Sequence, residues 1–213
     1  MVTMEQKILD AVEAKRQDII DFFQKTVQIP SLPGEEKELG DFLVREMGKW
    51  GLDDISVVEK EPGHPNVLAR IHGVEDGPNF IFNGHLDVIH PGDPATWSDA
   101  PFSGKIKDGR IYGRGSVDMK GGTMSSFMAG AIVKQLGIPL KGNVLLTAVC
   151  DEEICGERGI LYLLEEGYIK KQREDDLGLN CEPTDLNRIV VANKGVLRAD
   201  VTFHGKSAHG ARP

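Results

Sequence analysis

The chain has 213 residues, with 25 Lys+Arg against 33 Asp+Glu and a net charge of −8 at pH 7. That balance excludes a binder of phosphate backbones, which needs a basic stripe, while 40% hydrophobic and 27% charged residues describe an ordinary globular α/β protein. No apolar run approaches the roughly 18 residues of a membrane span, the opening MVTMEQKILD lacks the basic and apolar regions of a secretory signal, and an odd count of 3 cysteines without CxxC spacing fits a reducing, cytoplasmic compartment.

Taken in chain order, residues 3–29 read as one helix. Thr3 and Gln6 have capping-box spacing, Ile8, Val12, Ile19, Phe23 and Val27 recur at helical intervals, and Pro30 ends the run. A second helix is predicted at about 35–50, with Leu39, Phe42, Leu43 and Met47 on one face and Gly51 behind it. Short strands follow at 55–58, 67–71 and 80–83, and a hairpin at 105–112 turns on Asp108-Gly109. A helix at about 119–136 precedes a continuous apolar run at 143–149, as expected of a strand covered on both faces. A short helix at about 158–166 and strands at 177–179, 188–193 and 196–204 complete the pattern. Strands alternating with helices imply a mixed, mostly parallel sheet with helices on both faces, whose ligands bind beyond the carboxyl ends of the strands.

Four acidic or histidine-bearing clusters sit at such ends: 83–87 (NGHLD), 116–118 (SVD), 151–153 (DEE) and 181–183 (CEP). Carboxylates gathered around one sheet edge repel one another, and a bound divalent cation reverses that cost. His85 and Asp87 are two apart and share a face of an extended segment, which suits a metal-binding imidazole with a carboxylate orienting it. Asp118 stands between glycine-rich stretches at a loop-to-helix junction, where it is either a ligand or a helix N-cap. In Asp151-Glu152-Glu153, neighbouring side chains project in different directions, so that one glutamate can hold a metal while the other faces a water as general base; an exposed acidic loop is the alternative. Glu182 ends a strand before Pro183. Carboxylate and imidazole ligands without thiolates suit Zn²⁺, Co²⁺ or Mn²⁺, and Cys150, Cys155 and Cys181 read as small buried residues at strand ends.

In this order the motifs NGHLDVIHPGD, WSDAPFSGKIKDGRIYGRGSVDMKGG, DEEICGERG, CEPT and KGVLRADVTFHGKSAHGARP resemble the co-catalytic zinc metallopeptidase family that includes acetylornithine deacetylase, succinyl-diaminopimelate desuccinylase, aminoacylase and glutamate carboxypeptidase. The resemblance implies two divalent metal ions, with His85 on the first, Asp118 bridging both, Glu153 on the second and Glu182 completing the first. It implies that Glu152 is the general base, that Asp87 orients His85, and that His209 stabilises the tetrahedral intermediate from a second domain. It further implies hydrolysis of the amide of an N-acyl amino acid or small peptide, and a homodimer at full length, with neither nucleic acid nor membrane as partner. A dipeptidase or carboxypeptidase of the same family, and an inactive protein keeping the fold, are the alternatives. The catalytic domain is expected over 1–193, followed at 194–213 by the first part of an inserted dimerisation or lid domain. Family members continue beyond this length and carry a late histidine on the second metal that matches nothing here, so the chain is expected to hold one ion well and the second poorly. His64, His72, His90 and His204 receive no ligand role.

Overall fold

The computed structural model describes residues 2–192 together with 194, 195, 199, 201, 202, 204, 205 and 211. Two compact units are present, Met1–Pro183 and Thr184–Pro213.

The first unit opens with α1 (Met4–Ala14) and α2 (Arg16–Gln28), where the hydrophobic period predicts a single helix. Thr3 caps the first by accepting from the Gln6 amide at 3.1 Å. Lys15 (φ −108°, ψ 10°) breaks the run. No Gly or Pro marks the break; packing separates the halves, since α1 has no buried residue while α2 buries Phe22, Thr26 and Val27. After α3 (Lys37–Lys49) come strands β1 (Asp54–Glu59), β2 (Pro65–Ile71) and β3 (Phe80–His85), then a small hairpin of β4 (Lys105–Lys107) and β5 (Arg110–Tyr112). Helix α4 (Lys120–Gln135), strand β6 (Val144–Val149), helix α5 (Ile160–Glu165) and strand β7 (Leu177–Asn180) follow. No helix among the described residues is long and apolar enough to cross a membrane.

The sheet has five strands in the order β1-β2-β6-β3-β7. β1 and β2 pair antiparallel, as do β2 and β6, whereas β3 runs parallel to both β6 and β7. Strand alternation divides the core between its faces. Val67, Ala69, Leu146 and Ala148 meet Phe22, Leu39, Leu43, Met124 and Phe127 of α2, α3 and α4 on one side. Leu68, Leu145 and Val149 meet Leu163 of α5 and Ile169 on the other. Truncating a fully buried side chain such as Phe127 to alanine costs about 3–5 kcal/mol.

In the second unit, Asp185 and Leu186 turn with positive φ of 58° and 60°. Residues 188–192 form no strand, against expectation; Ile189 and Val191 are exposed, and among the described residues no neighbouring strand supplies a ladder. The expected strand at 196–204 falls largely outside the described residues, and His209 lies outside them entirely.

β7 is held at its start by Asp176, whose Oδ1 accepts from the Asn79 amide at 2.7 Å and whose Oδ2 accepts from the Gln172 and Arg173 amides at 2.7 and 2.9 Å. These donors, the Asn79 amide foremost, lower its pKa from the ordinary 3.8 to about 2. A depressed carboxylate adds stability that is complete above the unfolded value and is lost as pH falls through the folded one. Asp176→Asn is therefore expected to flatten the acid-unfolding profile between pH 4 and 2, followed by circular dichroism; an unchanged profile would show that the carboxylate contributes nothing to β7.

Candidate metal centre

Because β3, β6 and β7 are parallel, their carboxyl ends share one edge. Register pairs His85 with Val149 and Asn83 with Asn180, so the segments at 150–153 and 181–182 leave the sheet beside His85. The loop before α4 brings Asp118 to the same edge. Asp118 does not cap that helix: Met119 is the N-cap residue and no side chain bonds there. The Asp118–Met119 peptide is cis. The first turn of α4 comes close to the strand ends only because residue 122 is glycine, since a Cβ there would overlap the Cys181 carbonyl oxygen.

His85 is the centre of the cluster, with 1% of its side chain exposed. Its Nδ1 lies 2.8 Å from the backbone carbonyl of Asp87. A carbonyl can only accept, so Nδ1 is the donor and the neutral ring presents a lone pair at Nε2. Nε2 is buried with no hydrogen-bond partner among the described residues. It faces Asp118 Oδ1 at 3.3 Å, Glu182 Oε1 at 3.6 Å and Glu152 Oε2 at 3.8 Å. Ligand atoms of His85, Asp118 and Glu182 all lie within 4.8 Å of one another. In its neutral form the ring therefore aims a lone pair at three carboxylates, which together make a donor set for a cation.

The Asp87 carboxylate is buried 3.5 Å from His85 Nδ1, but its hydrogen bonds go elsewhere. It accepts from the Glu152 amide at 3.1 Å and the Glu153 amide at 2.9 Å. Asp87 thus meets His85 through its backbone carbonyl and holds the amides of the two glutamates with its side chain. The DEE triplet divides in the same way. Asp151 is buried with φ 67° and accepts from the Arg158 amide and Nη1, both at 3.2 Å, while Glu152 is 44% exposed on the open side of the site. Glu153 is outside the group of three whose ligand atoms converge. Burial and the Asp118 charge raise its pKa.

Electrostatics report the crowding. Burial alone would lower the His85 pKa, but the Asp87 carboxylate beside Nδ1 and the charges of Glu152 and Glu182 raise it to about 9. Burial, with the neighbouring carboxylates, raises Glu182 to about 7. The cysteines supply no thiolate here: burial pushes Cys150 up to about 12, and Cys155, against expectation, is exposed. The other histidines of the first unit lie elsewhere. His72 pairs with Asp54 at 2.7 Å, His90 Nδ1 accepts from the Gly92 amide at 3.1 Å, and His64 Nδ1 stands 3.8 Å from the buried Glu36.

The family model for the peptidase family M20/M25/M40 matches residues 81–211, a span that includes His85, Asp87, Asp118, Glu152, Glu153 and Glu182. The chain belongs to this family. It is similar to a succinyl-diaminopimelate desuccinylase of Methylorubrum extorquens, 34% identical over 197 residues, which cover 89% of this chain and 51% of that protein. The chain thus spans about half the length of the curated relatives it matches. Among solved structures it is similar to an M20 family metallo-carboxypeptidase of Sulfolobus solfataricus (28% identity, TM-score 0.59, 74% of this chain and 35% of that one). Human carnosine dipeptidase 1 has the same fold at 22% identity, with a TM-score of 0.64 over 77% of this chain and 38% of its own.

Sequence reasoning missed three supporting residues of this family member. Arg158 bonds Asp151 from behind, Glu36 buries a carboxylate with no hydrogen-bond partner among the described residues, and Lys120 buries its whole side chain. Burial draws the Lys120 pKa down to about 7 and raises that of Glu36. None of the three carries a signal in the sequence, where a single charged residue reads as solvent-exposed.

Both raised groups make the metal-free protein sensitive to alkali. Each binds its proton more tightly in the folded chain, so the stability it adds is complete below its ordinary pKa (4.5 for Glu182, 6.5 for His85) and is lost as pH rises through about 7 and about 9. In chelator, the thermal midpoint of the unaltered chain, taken relative to that of His85→Gln, is expected to fall from pH 6.5 to 9, a difference in which the opposite contribution of the buried Lys120 cancels. A difference independent of pH would refute the crowding.

Proposed function

We propose that this chain carries the catalytic machinery of a metal-dependent amidohydrolase that cleaves the amide of an N-acyl amino acid, in the manner of the desuccinylases it resembles. The observation that carries the reading is the buried His85 Nε2, without a hydrogen bond and facing Asp118 and Glu182. These three residues would hold a first divalent ion, zinc by the mixed nitrogen and oxygen donor set, with cobalt or manganese as substitutes. Asp118 with Glu153 would begin a second site. A bound ion supplies Lewis-acid polarisation of the scissile carbonyl and acidifies water.

The chain's own residues do the rest. Glu152 stands on the open side, 3.8 Å from Nε2, with its amide fixed by Asp87. It takes one proton from the attacking water as the new carbon–oxygen bond forms. It then delivers that proton to the amide nitrogen as the carbon–nitrogen bond breaks, releasing a carboxylate and an amine. Asp87 keeps both the imidazole and the glutamate loop in place. His209 would stabilise the oxyanion from the second domain, whose start we assign to 194, after a catalytic domain of 1–193; a homodimer would bring it into reach. Free cysteines at 150, 155 and 181 support a cytoplasmic setting.

A second reading is favoured by the structural neighbours named above: a dipeptidase or carboxypeptidase on the same centre. Amine release from N-succinyl and N-acetyl amino acids against dipeptides separates the two.

The chain is expected to bind one zinc ion tightly and a second weakly, counted by elemental analysis after dialysis. His85→Ala should abolish the tight site; full retention would overturn the assignment. Glu152→Gln should keep the metal and lower turnover about 10²–10⁴-fold. Near-native turnover in that variant would place the base elsewhere.

A further inference from the structure

Lys120 is among the largest fully buried side chains of the protein. It forms no ion pair among the described residues; its Nζ instead donates to the carbonyls of Thr26 at 2.9 Å and Ile29 at 2.7 Å, at the carboxyl end of α2. The Thr26 carbonyl belongs to the last turn of α2 and the Ile29 carbonyl lies just past its end, and a cation suits the negative end of the helix dipole. Its backbone amide donates to the Gly115 carbonyl at 3.0 Å. The aliphatic stem runs under Gly115, where a Cβ would come within 3.2 Å of Lys120 Cδ and 3.3 Å of Cε. The segment at 115–119 therefore folds over this side chain, and Asp118 stands on that segment.

We infer that Lys120 is a positioning residue for Asp118: it anchors the Asp118 loop to the end of α2 and so sets where that carboxylate meets His85 and Glu182. A lysine that only filled the core could be replaced by an uncharged chain of similar shape without consequence for the site. The two carbonyls receiving its ammonium give the anchor a direction that packing alone does not.

The inference rests on Asp118 being a metal ligand, and the test separates the two. Lys120→Met keeps the stem and removes the donors. Zinc affinity by chelator competition and the visible absorption of bound Co²⁺ are compared with the unaltered chain, with far-ultraviolet circular dichroism as the folding control. The expected result is a folded variant with affinity weaker about 10–100-fold and an altered cobalt spectrum, as for other residues that orient ligands. Gly115→Ala, which presses on the same stem and on Val88 from above, should also lower affinity. A folded Lys120→Met variant with unchanged affinity and spectrum overturns the inference while leaving the metal reading intact. If neither variant folds, Lys120 serves the fold rather than the site, and the inference also falls. If the unaltered chain binds neither zinc nor cobalt, the metal reading fails and takes this inference with it.

Discussion

An imidazole that has committed one nitrogen to a backbone carbonyl has a single direction left for its remaining lone pair, and in His85 that direction is filled by carboxylates. Asp118, Glu182 and Glu152 approach Nε2 at 3.3–3.8 Å, in a pocket where the ring is buried. Like charges so close in a poorly solvated place are unfavourable without a counter-charge. The rest of the architecture keeps them there. Parallel pairing of β3 with β6 and β7 aligns three strand ends, and the small residue at 122 lets α4 close on the fourth segment.

Around the converging groups lies a layer that never touches the central space. The Asp87 carboxylate grips two successive amides, Asp151 is itself gripped by Arg158, and the Asn66 side chain joins the Arg158 carbonyl at 2.8 Å and the Cys150 amide at 3.3 Å. Three acidic residues in a row thus have three different settings: Asp151 is buried as an acceptor, Glu152 stands half exposed 3.8 Å from His85 Nε2, and Glu153 is partly buried outside the converging group. Adjacent residues project differently, and each meets a different neighbour.

Strand ends and the acidic clusters were legible because apolar periodicity stops abruptly where the polar motifs begin. β6 was expected as a strand covered on both faces, and it lies between β2 and β3 with helices on either side. Residues 85 and 87 do lie together, but sequence spacing cannot tell a carbonyl from a carboxylate, and the imidazole bonds the former. The division between α1 and α2 was invisible for a related reason: Ile8, Val12 and Ile19 keep a helical period across a break made by tertiary packing alone. Lys120 and Arg158 were hidden by their charge, which reads as surface until burial is known.

The seam between β2 and β6 is antiparallel, and this has an effect on where the first hairpin ends up. The start of β2, rather than its finish, lies beside the exit of β6, so the turn at 60–64 sits against the glutamate-bearing loop. Lys60 Nζ reaches the Glu157 carbonyl at 3.2 Å, and Glu61 pairs with Arg158 at 3.1 Å. A dye attached at this solvent-facing rim would report on the surroundings of the 150–158 loop while leaving the side chains at 85, 118 and 182 unmodified.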